Sequence, residues 1–215
     1  MSAPERPQPT LHTARLRLVP LSPEHLEHLV LLDSDPEVMR FVGKGKARPR
    51  EDVVEHFRGW LARAEPAPGL GLWAGFLRSQ LPTAAAAATA EGDDPAGSFV
   101  GWWALQPPKR SDQGALHGQA ELGYRLLRRF WRQGLAKEGA AELVRYGFED
   151  RQLRRIFAET MAINAASRAT MASVGLGYKR TFYLDFGEDT IPGSDAGEVE
   201  YELTREDWES RQPSR

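Results

Sequence analysis

The middle of the chain carries a basic segment whose residue types suit the binding of a phosphate group. No acidic residue interrupts it, and its basic residues are Arg125, Arg128, Arg129, Arg132 and Lys137. Gly134 and Ala136 lie where a predicted strand (Gln119–Leu126) gives way to a predicted helix (Leu135–Glu149). The unpaired amides at a helix start carry partial positive charge and bind a pyrophosphate where small residues let it approach. The segment therefore predicts a site for a multiply charged phosphate ligand.

A second segment with polar residues lies further along the chain. Asn164 can cap a short helix that extends through Val174, and Ser167 lies in its first turn. Gly175 or Gly177 would then end this helix, because glycine is favoured just beyond a helix end. Both segments thus place polar groups at the start of a helix.

Together the two segments resemble the GNAT superfamily of N-acetyltransferases. The acetyl-coenzyme A loop of that family has the form Gln/Arg-x-x-Gly-x-Gly/Ala. The run Trp131-Arg-Gln-Gly134-Leu-Ala136 matches at the last two defined positions and differs at the first. A Trp at that place after a Gly-Tyr strand is similar to the branch of ribosomal-protein N-terminal (alanine/serine) acetyltransferases, and so is Asn164-Ala-Ala-Ser167 followed by the glycine turn Gly175-Leu-Gly-Tyr178.

The resemblance implies an α+β GNAT fold and acetyl-CoA as the co-substrate. The fold is a mixed, mostly antiparallel sheet of about seven strands flanked by about four helices, with the fourth and fifth strands splayed. Pantetheine would lie in the gap between those two strands, bonded to the backbone as an extra strand would be. The residues implied to bind the co-substrate are Leu126, Arg132, Gln133, Gly134, Leu135, Ala136, Lys137, Asn164 and Ser167.

Two residues are candidates for proton transfer. Glu121 lies on the strand that lines the gap and is the candidate general base, acting through water; an ion-paired strand residue is the alternative. Ser167 is the candidate to cap or protonate the coenzyme A sulfur, with Asn164 bonding the pantetheine amide. The alternative for both is an ordinary role at a helix start. Many GNAT enzymes have a tyrosine acid where this chain has Met171, which shifts that role towards Ser167 or solvent.

Composition argues against several other function classes. The net charge of -2 comes from 28 basic and 30 acidic residues, so nothing attracts a nucleic acid overall. The absence of cysteine excludes a thiolate nucleophile, and five scattered histidines show no metal-ligand spacing, so no metal is expected. No apolar run predicts a signal peptide or a membrane span, which indicates a soluble, cytoplasmic protein.

The chain reads as one domain at 10–209, with a flexible N-terminus at 1–9, a flexible C-terminus at 210–215 and a mobile alanine-rich insert at 81–97. Ser22 and Pro23 open the first helix. Besides the elements already given, strands are predicted at 15–19, 70–77, 98–105, 154–161, 178–186 and 198–203, the last two as a hairpin, with a helix at 50–63.

The predicted reaction is direct acetyl transfer from acetyl-CoA to a primary amine. The acceptor is a protein N-terminus or a small molecule such as an aminoglycoside or polyamine, and the sequence permits a homodimer. The alternative function is an acetyl-CoA-binding sensor without turnover. Seven acids between Leu184 and Leu203 could attract a cationic amine, but a solvated hairpin is the favoured interpretation. Met39, Phe41, Trp102 and Trp103 could wall the acceptor pocket, with a core role favoured.

Overall fold

The computed structural model describes residues 7–64, 67–78, 97–184 and 191–211, without the side chains of residues 63 and 64. The predicted mobile insert at 81–97 lies outside these ranges except for its last residue. Most of the predicted flexible termini, 1–9 and 210–215, lies outside them as well.

The described residues form one sheet of eight strands in the order β1-β2-β3-β4-β5-β6-β8-β7. Every neighbouring pair is antiparallel except β5 and β6, which run parallel. The extra strand relative to the expected seven is β1, which is only two residues long. The strands are β1 (Leu11–His12), β2 (Leu16–Pro20), β3 (Gly71–Leu77), β4 (Phe99–Gln106), β5 (Gln119–Leu126), β6 (Arg155–Met161), β7 (Gly177–Phe182) and β8 (Glu198–Thr204).

Six α-helices occur in the described residues, two of them short additions to the expected four. A 3-10 turn (Pro23–His25) precedes the first helix, and His25 accepts a hydrogen bond from the Ser22 amide at 3.0 Å. The helices are α1 (Leu26–Asp33), α2 (Pro36–Met39), α3 (Arg50–Ala64), α4 (Leu135–Glu149), α5 (Ala165–Ser173) and α6 (Arg205–Ser210).

The two faces of the sheet carry separate cores. Trp103 and Leu105 of β4 pack under α4, whereas Trp102 and Ala104 of the same strand pack with α1 and α3. Neighbouring residues of a strand point to opposite faces, so the strongly apolar β4 supplies both cores. The favoured core role of Trp103 is therefore confirmed, and Trp102 is buried too.

Trp103 also fixes the position of α4. Its indole N–H donates a hydrogen bond to the Ala136 carbonyl at 3.1 Å. Gly139 leaves room for the ring, because a Cβ there would lie 2.4 Å from Trp103. The first turn of α4 is thereby held at a fixed height above the sheet.

The predicted splaying of the fourth and fifth strands is confirmed between β5 and β6. They pair at only three positions, ending at Glu121 opposite Phe157. Beyond that point β5 continues to pair with β4 as far as Leu126, and β6 continues to pair with β8 as far as Met161. The sheet therefore divides into two halves with a gap between them.

The acidic segment near the C-terminus departs from the expected solvated hairpin. β8 does pair with β7, but it lies between β6 and β7 in the sheet interior. Glu198 and Glu200 are consequently buried. Glu200 forms ion pairs with Arg155 and with Arg180, which compensate its charge. Of the remaining acids, Asp185, Glu188 and Asp189 lie outside the described residues.

Candidate active site

The basic segment forms a tight loop between β5 and α4. A 3-10 turn (Arg128–Phe130) follows β5, and Arg132 and Gly134 then adopt left-handed backbone angles, with φ of 59° and 76°. The first hydrogen bond of α4 runs from the Glu138 amide to the Gly134 carbonyl at 3.0 Å. The amides of residues 134–137 therefore precede the helical ladder and are available to an anion.

The glycine at the helix start leaves space beside these amides. A Cβ at Gly134 would meet one atom within 4 Å, the Arg15 Nη2 at 3.4 Å. Glycine also adopts the positive φ of this position without strain. Backbone geometry and open space thus both favour a small residue at the place where the motif has one.

Trp131, which departs from the family motif, has a structural task. Its indole N–H donates to the Leu126 carbonyl at 2.8 Å, tying the loop to the end of β5. Gln133 forms a second hydrogen bond inside the loop: its side-chain amide donates to the Arg129 carbonyl at 2.8 Å. Both side chains support the loop from within.

Arg15, which sequence patterns did not single out, holds the loop from outside. Its guanidinium donates to the Gln133 carbonyl at 2.9 Å and pairs with Glu138 of α4 at 2.6 Å. Burial acts to raise the pKa of Glu138, but hydrogen bonds from Thr13 and Arg15 outweigh it and hold the pKa below its ordinary value. The turn between β1 and β2, far away in sequence, therefore helps to set the position of the helix start.

The arginines of the basic segment do not act together. Within the described part of the chain, Arg128, Arg129, Arg132 and Lys137 form no ion pair with a carboxylate. Arg125 is different: it is buried on the opposite side of the sheet, where it pairs with Asp33 at 2.5 Å. The expectation that Arg125 adds to the positive charge of the loop is wrong, because alternation along β5 turns it to the other face.

Asn164 and Ser167 lie across the gap, at the start of α5. The Asn164 side chain accepts from the Ser167 amide at 3.2 Å, and its own amide donates to Thr160 Oγ1 at 3.0 Å. Asn164 therefore acts as a helix cap, the role named as its alternative. This capping fixes the orientation of the first turn of α5 beside the gap.

Tyr124 reaches Ser167 from β5 and was not foreseen from the sequence. Its hydroxyl donates to the Ser167 carbonyl at 3.0 Å and lies 3.3 Å from the Ser167 Oγ. Burial raises the pKa of Tyr124, although hydrogen bonds with Ser167 and Thr170 oppose the shift. Met171 is buried in the core, so it is Tyr124, from a different element, that brings a phenol to this site.

A pocket of about 260 Å³ lies on the face of the sheet opposite α4, beside the point where β5 and β6 separate. Its walls come from β4, β5, α3 and the segment between α2 and α3, and they include His56 and Trp60. Glu121, at the last paired position, lines it and forms an ion pair with Lys109 at 3.0 Å. Glu121 is thus ion-paired, the role named as its alternative, and it also lines the pocket.

Glu198 lies on the same face as Glu121, on the far half of the sheet. Burial raises its pKa to about 7, with Glu159 adding to the shift and Arg110 opposing it. Its strand neighbours Glu200 and Glu202 each form ion pairs with two basic residues, whereas Glu198 forms none within the described residues. A carboxyl in this state changes its charge near neutral pH.

The described ranges contain neither a candidate metal site nor a candidate membrane span. No group of three or more His, Asp or Glu residues there could hold a metal ion. No helix in the same ranges is long and apolar enough to cross a membrane.

Comparisons with known proteins agree with this geometry. The acetyltransferase (GNAT) domain family matches residues 15–177, more than half of the chain. The FsC-acetyl coenzyme A-N(2)-transacetylase of Aspergillus fumigatus is 42% identical over 203 residues, covering 94% of this chain and 78% of that protein.

Solved structures show the same fold at low identity. A GNAT-family acetyltransferase from Bacillus anthracis aligns with a TM-score of 0.65 and 18% identity, covering 92% of this chain and 99% of that one. RimL, a ribosomal L7/L12 alpha-N-protein acetyltransferase solved with coenzyme A, aligns with a TM-score of 0.65 and 14% identity, covering 91% and 96%.

Proposed function

The chain belongs to the GNAT acetyltransferase family and is an acetyl-CoA-dependent N-acetyltransferase, and from that premise we propose that its acceptor is the primary amine of a small molecule. The alternative of a sensor without turnover loses its basis, since family and relative are both transferases. The name of the Aspergillus fumigatus relative supports a small acceptor, because it gives the acetylated atom as a numbered nitrogen, N(2), rather than as the N-terminus of a protein. The pocket volume of about 260 Å³ also suits a small molecule better than an extended peptide.

One observation carries the proposal: the gap between β5 and β6 begins at Glu121. On the α4 side of the sheet the gap leads to the free amides of residues 134–137. On the other side Glu121 opens onto the pocket. A thioester lying in the gap would therefore meet an amine held in the pocket.

We assign the donor side as follows. The amides of residues 134–137 hold the diphosphate, and Arg132 and Lys137 add positive charge. Leu126 contributes only backbone, and Gln133 acts through the shape of the loop. Asn164 and Ser167 orient the first turn of α5 beside the pantetheine.

The chemistry follows from that placement. The neutral amine nitrogen attacks the thioester carbonyl carbon, the carbon–sulfur bond breaks, and a proton passes from nitrogen to sulfur. Glu121 takes the amine proton through water. Ser167 gives a proton to the departing sulfur and regains one from solvent through the Tyr124 hydroxyl, 3.3 Å from its Oγ, while Glu121 releases the amine proton to solvent.

An acceptor screen read by thiol release tests the proposal. It compares small primary amines with peptides that carry free N-termini, at equal concentrations and with acetyl-CoA in excess. Small amines should be acetylated with the higher kcat/KM. Faster acetylation of the peptides would overturn the assignment of the acceptor, and acetyl-CoA binding, followed separately by thermal shift, would show whether the donor site is intact.

Three other expectations remain proposals. A single domain spanning 10–209 fits the continuous sheet. A cytoplasmic location fits the use of acetyl-CoA. A homodimer is compatible with the site, which needs no residue from a second copy in the scheme given above.

A further inference from the structure

The floor of the acceptor pocket contains an ion cluster with unequal charges. Arg48 and Arg125 both line the pocket, and both pair with the single carboxylate of Asp33, at 2.8 and 2.5 Å. The three side chains are 11%, 10% and 2% exposed. Two guanidinium groups therefore share one carboxylate, and one positive charge remains uncompensated within the cluster.

No other described carboxylate cancels that charge. The acid that lines the pocket is Glu121, and its partner is Lys109. Burial lowers the pKa of the Arg125 guanidinium; Asp33 opposes that shift and Arg48 adds to it. The cluster is thus a place where an additional anion would be stabilised.

Two buried hydrogen-bond donors in the same walls point the same way. Trp102 Nε1 and Gln106 Nε2 have no acceptor among the described residues, and these side chains belong to residues only 8% and 6% exposed. Both residues line the pocket. A buried donor without a partner is unfavourable, so ligand oxygens would relieve both: Trp102 lies opposite Arg125, at the anion end, and Gln106 lies opposite Glu121, at the amine end.

Glu121 and Arg125 place the two kinds of charge along one strand. They are four residues apart on β5 and face the same side, so their Cα atoms lie about 13 Å apart. An amine near Glu121 and an anion near Arg125 can therefore belong to one small molecule if an extended aliphatic chain separates its amine from its carboxylate. The charges of the pocket differ between its two ends: Glu121 lies where β5 and β6 separate, opposite Gln106, and the surplus positive charge lies near Arg125, opposite Trp102.

We propose that the pocket floor is a carboxylate-binding subsite, so that the acceptor is a small amine that also carries a carboxylate. This inference rests on the proposed function and narrows it to amines that carry a carboxylate at the far end of an aliphatic chain. Polyamines and aminoglycosides would bring only positive charge to Arg48 and Arg125 and are excluded as good acceptors. The aromatic walls, Trp60 and Trp102, would cover the apolar part of the substrate.

Matched acceptors test the subsite directly. Lysine is compared with cadaverine, and 6-aminohexanoate with pentylamine, each pair differing by one carboxylate. The carboxylate-bearing member should show a kcat/KM higher by roughly 10- to 100-fold, the size expected of hydrogen bonds to a charged group. Equal values, or a preference for the decarboxylated members, would overturn the subsite.

Arg48→Gln is the informative variant, because it removes the surplus charge and leaves Arg125 paired with Asp33. It should abolish the preference by raising KM for 6-aminohexanoate, while kcat/KM for pentylamine falls far less. Arg50→Gln is the matched control, since Arg50 is 51% exposed and pairs with Glu27 outside the pocket. A preference that survives Arg48→Gln would contradict the assignment.

Binding of hexanoate, measured by calorimetry, separates this inference from the proposed function. It has the carboxylate and the aliphatic chain but no amine, so its affinity does not depend on turnover. The expected result is binding to the wild type that is weaker by about tenfold or more in Arg48→Gln. Carboxylate binding without acetylation of any small amine would leave the subsite standing and refute the small-amine acceptor; no binding by the wild type would refute the subsite.

Discussion

The two sides of the gap are built by different means. The donor side consists mainly of backbone: the free amides at the start of α4, a glycine at 134 and a capped helix at α5. The acceptor side consists of side chains from elements far apart in sequence, with Asp33, Arg48, Trp102 and Arg125 meeting in one place. The comparison teaches that a backbone site leaves a compact motif in the sequence, whereas a side-chain site leaves almost none.

The largest expected effect is on the donor side. Gly134→Glu places a side chain and a negative charge beside the helix-start amides, so binding of acetyl-CoA should be lost. At a hundredfold excess over Kd, the wild type should gain about 5–10 °C in Tm and the variant nothing. Gly134→Asn is the control, because asparagine tolerates the positive φ and brings no charge. An unchanged thermal shift in Gly134→Glu would remove the diphosphate from this site.

The next effect should fall on chemistry alone. Glu121→Gln removes the proposed proton acceptor but keeps the shape of the side chain, so kcat should fall about 100-fold. The thermal shift with acetyl-CoA should not change, because the donor amides are untouched. Glu27→Gln, at an exposed ion pair, serves as the control. Activity within about twofold of the wild type would show that the base lies elsewhere.

A smaller effect is expected where the two sides meet. Tyr124→Phe removes the hydroxyl that contacts Ser167 and should lower kcat about tenfold, with little change in KM for acetyl-CoA. A thioester with a more acidic thiol leaves without needing a proton, so the defect should shrink with that donor. A defect of the same size with both donors would make Tyr124 a structural contact only.

The smallest effect concerns stability and pH. The pKa of Glu198 is about 7 in the folded protein, against an ordinary value of 4.5. Between these two pH values the folded protein therefore keeps a proton that the unfolded chain has released. The wild type should therefore lose stability as pH rises from about 4.5 to about 7. Glu198→Gln lacks this loss, so its Tm should exceed that of the wild type by about 2–4 °C above pH 7 and match it near pH 4.5. Parallel curves would mean that Glu198 is charged throughout.

The donor side and its elements were predictable because their signals are local. β5 and α4 have the predicted bounds, since alternation and helical periodicity over consecutive residues decide them. Gly134 and Asn164 lie at helix starts for the same reason. The two-residue β1 was missed because so short a pairing carries no pattern of its own.

The acceptor side could not be predicted because its contacts depend on register. Arg125 belongs to the basic run in sequence, yet alternation along β5 sends it to Asp33. Glu198 and Glu200 look like part of a solvated acidic loop, but insertion of β8 between β6 and β7 buries them. Arg15 stabilises the α4 start across more than a hundred residues of sequence.

Because the sheet divides between β5 and β6, it has four strand edges instead of two. The outer ones are β1, too short to template another strand, and β7, which bears Lys179 and Arg180. The two inner edges face each other across the gap between β5 and β6, beginning at Leu122 on one edge and at Ala158 on the other. An extended, unbranched molecule that carries N–H and C=O groups can lie in this gap and hydrogen-bond to both inner edges. A folded protein is too wide to do so.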